Sequence, residues 1–121
     1  MHKITTPICS SRQLTQAVLQ VITFLGMYQA ELARILGLQC SDIGNMASAK
    51  QFIEIDSEAG YRANLLVRFY NLLYDRYSGN EALMCHWLRR YDDDLSASPF
   101  YLIVDEHKLE SVIAFMEENL K

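Results

Sequence analysis

Gln29-Ala30-Glu31-Leu32-Ala33-Arg34-Ile35-Leu36-Gly37-Leu38-Gln39-Cys40-Ser41-Asp42-Ile43-Gly44-Asn45-Met46 reads as two short helices about a tight turn. Ala33 sits in mid-helix, where a small side chain lets a second helix cross closely. Gly37 follows four residues later, where the turn needs a positive φ without a Cβ penalty. Ile43 falls about one and a half turns into the second helix, facing Leu32 and Leu36. Leu38 supplies the apolar residue after the turn. Small residue, glycine and apolar anchors together specify a helix-turn-helix, with a plain helical hairpin as the alternative, because turn glycines are common.

Working outward towards the N-terminus, residues 1–9 contain Pro7 and no periodicity, and are expected to form a loose arm. Ser10 or Ser11 caps a scaffold helix whose apolar residues Leu14, Ala17, Val18, Val21, Ile22 and Leu25 keep a helical period until Gly26. Glu31 near the start of the next helix suits its dipole.

After Met46 the stretch 47–55 either extends the second helix or forms a connector packed by Phe52, Ile53 and Ile55. Asp56 or Ser57 caps the longest periodic stretch, which runs to about Tyr77 with Leu65, Leu66, Phe69, Leu72 and Leu73 on its stripe and Gly79 as its stop. Asn80 caps Glu81–Arg90, with Leu83, Met84, Trp87 and Leu88 facing inward. Asp92-Asp93-Asp94 reads as a solvated loop, since like charges repel. Ser98-Pro99 begins a short apolar turn, Phe100–Val104. Asp105 caps a last helix with Leu109, Val112, Ile113, Met116 and Leu120 on one face. No strand has support, so the expected class is all-α: a helical bundle with a helix-turn-helix domain over 10–55 and a helical region over 56–121.

The chain has 121 residues, half of them hydrophobic, enough for one compact core. Its three cysteines, Cys9, Cys40 and Cys85, are widely spaced without a CxxC pair, as expected of reduced thiols in a cytoplasm. No apolar run approaches a membrane span, and no hydrophobic leader precedes Cys9. The net charge of −4 is unevenly spread. Residues 1–91 hold nine Lys/Arg against seven Asp/Glu, a balance of +2, and residues 92–121 hold two against eight, a balance of −6. A sequence-independent nucleic-acid binder is expected to be basic, because phosphate neutralisation supplies most of such affinity. The chain as a whole is not.

No catalytic constellation emerges. Cys85 and His86 are adjacent on a helix and point about 100° apart, and no second ligand pair accompanies them. His107 sits among carboxylates near an expected helix start, and reads as surface. The glycines are isolated, so no phosphate-cradling loop occurs. Tyr61, Phe69, Tyr70, Tyr74, Tyr77 and Trp87 are expected in the core, although Tyr61 or Tyr74 suits a symmetric interface as well. Neither a metal nor a cofactor is expected.

In order along the chain, Gln29-Ala30-Glu31-Leu32-Ala33 through Gly37-Leu38, Leu65-Leu66-Val67-Arg68-Phe69-Tyr70, Gly79-Asn80-Glu81-Ala82 with Trp87-Leu88, and Pro99 followed by Leu109-Glu110-Ser111-Val112 resemble antitoxins of the Xre/MbcA/ParS family. The resemblance covers about Leu14 to Leu120. It implies a DNA-binding N-terminal part, a toxin-binding C-terminal part and a homodimer. It also implies a toxin partner of the NAD-consuming RES-domain group or its ADP-ribosyltransferase-like relatives, blocked at its active-site entrance, with repression of the protein's own operon. Carried onto this sequence, the DNA-facing positions are Gln39, Ser41, Asp42, Asn45 and Lys50. The partner-facing positions are Asp92, Asp93, Asp94, Phe100 and Tyr101, where carboxylates imitate phosphate and the two rings anchor. Lys50 is the only cation between Gln39 and Gln51, so operator binding is expected to need a dimer or a toxin complex. A helix-turn-helix regulator without a toxin partner is the alternative.

Overall fold

The computed structural model describes residues 1–119, with side chains through residue 118. Among the described residues the fold is all-α, a bundle of seven helices with no strand: α1 Ser11–Leu25, α2 Gln29–Leu36, α3 Cys40–Ala47, α4 Glu58–Arg76, α5 Glu81–Arg89, α6 Pro99–Val104 and α7 Leu109–Asn119.

Local rules place most helix ends. Ser10 Oγ accepts from the Gln13 amide at 3.2 Å, Ser57 Oγ from Gly60 at 3.0 Å, Asn80 Oδ1 from Leu83 at 3.2 Å and Ser98 Oγ from Tyr101 at 3.2 Å. At the other end of α2, Gly37 takes φ 73°, the left-handed conformation the turn needs. Arg62 of α4 reaches over that turn and donates from Nη1 to the Leu36 carbonyl at 3.3 Å. A Cβ at position 37 would meet the same Nη1 at 2.6 Å. The left-handed backbone favours glycine here, and a side chain would also displace the Arg62 guanidinium.

Helix α4 is the centre of the core. Its Ala63, Leu66, Phe69, Tyr70 and Leu73 are completely buried, between α1 on one side and α7 on the other. α2 and α3 pack on each other, and Ile43 of α3 is buried with Leu32 and Leu36 of α2. The stretch after α3 is a connector, held by α1 rather than by hydrophobic packing alone. The Ile53 amide donates to Thr15 Oγ1 at 2.8 Å, and the Ile55 amide to Ser11 Oγ at 3.0 Å. It passes so close to α4 that a Cβ on Gly60 would lie 2.3 Å from the Glu54 carbonyl oxygen. The apolar core runs unbroken from Leu14 to Met116, across position 55/56.

Several expectations are corrected. Residues 1–9 are not a loose arm: Asn71 of α4 accepts from the Ile4 amide at 3.0 Å and donates to its carbonyl at 2.9 Å. Tyr70 Oη also donates to the His2 carbonyl at 2.5 Å. The pairing is long-range, so nothing in the local pattern announced it. Leu83 does not face inward but is half exposed, and Phe52 stands out of the connector under the Arg12 guanidinium, 5.9 Å from its centroid. Tyr74 is only part-exposed, packed between Tyr70 and Gly79. Asp105 does not cap the last helix; it closes α6, and α7 begins four residues later at Leu109. The expected core position Leu120 lies outside the described residues.

Candidate functional site

Two faces carry the candidate residues. The first is α3. Gln39, Ser41, Asn45 and Lys50 are exposed there, while Ile43 and Met46 turn into the core. Asp42 belongs to the fold more than to the face. One carboxylate oxygen accepts from the Gln39 amide at 3.0 Å, capping α3, and the other accepts from Gln51 Nε2 at 3.2 Å. Gln51 in turn accepts from Asn45 Nδ2 at 3.4 Å, so the exposed end of Asn45 is steered by the connector. Gly44 occupies open space, with nothing within 4 Å of the Cβ it lacks. Lys50 stands beyond the end of α3, its amide donating to the Asn45 carbonyl at 2.8 Å.

The second face is built by the 92–97 loop and α6. Asp92 was expected in a free acidic run, and here the structure differs. Its Oδ1 accepts from the amides of Asp94 at 2.9 Å and Leu95 at 3.3 Å, its Oδ2 accepts from Trp87 Nε1 at 3.3 Å, and its amide donates to the Ala97 carbonyl at 3.1 Å. Asp92 is a turn-former of the Asx kind, which leaves Asp93 and Asp94 as the exposed acids. Ser98 then caps α6 with buried Pro99 at its first position.

On α6, Ile103 and Val104 face inward and are buried, Phe100 is half-buried and Tyr101 is 46% exposed. The Phe100 ring lies under the Arg89 guanidinium, 5.2 Å from its centroid. The same Arg89 donates from Nη2 to the carbonyls of Leu25 at 2.8 Å and Gly26 at 3.0 Å. Tyr101 Oη donates to Glu106 Oε1 at 2.8 Å. That bond, and the charge of Glu106, raise the Tyr101 phenol above its ordinary value. The residues that sequence reasoning missed on this face are Arg89 and Asp105, and Asp105 forms an ion pair with Arg34 of α2. Both act across more than 60 positions, and no local signal marks them.

The remaining reactive groups do not converge. Cys85 Sγ points to the Phe24 carbonyl at 3.9 Å, and the neighbouring His86 is exposed. His107 adopts φ 54° in the α6–α7 connection. Among the described residues, no three His, Cys, Asp or Glu side chains gather as a metal site. None of the described helices is long and apolar enough to cross a membrane.

Fold and faces together define an all-α protein whose first half carries two packed helices about a glycine turn. Its second half presents aromatic rings beside acids. Compared with known families and curated proteins, the chain matches no family model and no curated sequence.

Proposed function

We propose that the protein is the antitoxin of a type II toxin–antitoxin pair. It would neutralise a RES-domain or ADP-ribosyltransferase-like, NAD-consuming enzyme by covering its active site. The observation that carries this reading is the α6 face: α6 carries exposed Tyr101 and half-buried Phe100, and the loop that leads into it carries exposed Asp93 and Asp94, in the most acidic third of the chain. A nucleotide-binding mouth is basic and receives phosphates, so carboxylates steer the encounter and the rings supply buried contact.

The helix-turn-helix adds a second role, repression of the protein's own operon through Gln39, Ser41, Asn45 and Lys50. A regulator acting without a toxin partner rests on the same exposed α3 residues, and is weaker because Lys50 is the one cation on that stretch.

The test is co-expression with the product of the adjacent reading frame while cellular NAD is followed. Full-length protein should preserve NAD and growth. Tyr101→Ala should raise the dissociation rate of the purified complex, whereas Asp93→Ser with Asp94→Ser should slow association and flatten its salt dependence. Protection by a folded chain lacking both rings would overturn the assignment of the face.

A further inference from the structure

The α6 face and the helix-turn-helix are not separate. Arg34, on the exposed side of α2, pairs with Asp105, the residue that closes α6. α6 also packs directly on α2. Within residues 29–50 the only cations are Arg34 and Lys50, set against Glu31 and Asp42. Asp105 therefore neutralises half of the positive charge this region owns. The pair is open to water, with side-chain exposures of 59% for Arg34 and 31% for Asp105. An ion pair of that kind shifts an equilibrium by no more than about five-fold, so a competing charge displaces it readily.

We infer that Asp105 masks Arg34 as a nucleic-acid contact, and that a basic partner surface seated on α6 unmasks it by drawing Asp105 away. The inference rests on the proposed roles of the two faces and goes beyond them. It adds Arg34 to the nucleic-acid surface and names the pair through which a bound partner strengthens DNA binding. The first helix of a helix-turn-helix crosses the phosphate backbone, the place where one further guanidinium counts. By linkage, DNA on the helix-turn-helix strengthens partner binding by the same factor.

Asp105→Asn mimics the drawn-away state without any partner. The probe is a fluorescein-labelled duplex of the DNA upstream of the protein's own reading frame, titrated by anisotropy at about 50 and 150 mM salt. Asp105→Asn should bind two- to five-fold tighter than wild type, with a log–log salt slope steeper by about one. Arg34→Gln alone should change little, because its guanidinium is already masked. The double variant should bind like Arg34→Gln. Circular dichroism and melting temperature confirm that each variant folds. If Asp105→Asn binds no better than a binding wild type, the masking is refuted while the DNA role stands. If the double variant keeps the gain, removal of the Asp105 charge explains it, and Arg34 has no part. If none of the four proteins binds duplex at the lower salt, the nucleic-acid role of α3 falls, and the inference with it.

Discussion

At the scale of single residues, two positions make opposite statements about stability. Gly44 is a helix-interior glycine with nothing within 4 Å of its missing Cβ. Gly44→Ala should therefore stabilise the protein by about 1 kcal/mol, because alanine removes backbone freedom from the unfolded chain without a clash. Thermal unfolding should show the midpoint rise by about 4 °C. A fall would mean that α3 needs the glycine for something other than its helix. Tyr70 is the opposite case, a phenol with no exposure whose one bond goes to the His2 carbonyl. Burial, then the neighbouring Tyr74 and Glu81, push its pKa up to about 12. The folded protein thus keeps the phenol neutral at pH values where the unfolded chain ionises it. Stability from this group is complete below pH about 10 and is lost as pH rises from there towards 12. Urea midpoints at pH about 9 and 11.5 should differ in wild type, and differ less in Tyr70→Phe, which gives up about 1 kcal/mol of hydrogen bond at both.

At the scale of elements, the short N-terminal arm shows how a segment without periodicity becomes ordered. Asn71 meets both the amide and the carbonyl of Ile4, as a neighbouring strand would, while Lys3 pairs with Asp75 at 2.9 Å. His2 packs edge-on against Phe24, 5.2 Å between centroids. Asn71→Ala should release the arm and leave the bundle intact. Amide exchange should accelerate over residues 2–8 and stay unchanged in the middle of α4; equal exchange in both proteins would assign the arm's order to its apolar contacts instead. The helix boundaries, by contrast, are legible in the sequence at Gly26, Gly37, Asn80 and Ser98-Pro99, and to within one residue at Ser10, because a cap is a property of four or five neighbouring residues. The start of α7 was misread at Asp105 for a related reason. That aspartate suits a cap by type, but its carboxylate is engaged by Arg34 from another helix.

At the scale of the whole molecule, the apolar core joins α2 and α3 to the later helices through α1 and α4, and Arg62 and Arg89 fasten the ends of α2 and α1 to α4 and α5. One cooperative unit should unfold in one step. Fluorescence of Trp87, the only tryptophan, and far-ultraviolet circular dichroism should give coincident urea transitions. Separate transitions would mean that residues 10–55 fold apart from the rest. From the sequence alone came the all-α class, the glycine turn between α2 and α3, most helix ends and the buried stripe of α4, since each follows from spacings within a few turns of chain. Ser41 and Tyr101, candidates through the resemblance rather than through periodicity, are exposed. Tertiary structure alone decided that Asp42 and Asp92 engage their carboxylates within the fold, that Arg89 lies over Phe100, and that Asp105 pairs with Arg34. Whether a charged side chain is free depends on which distant atoms come within about 3 Å of it, and helical periodicity carries no record of that.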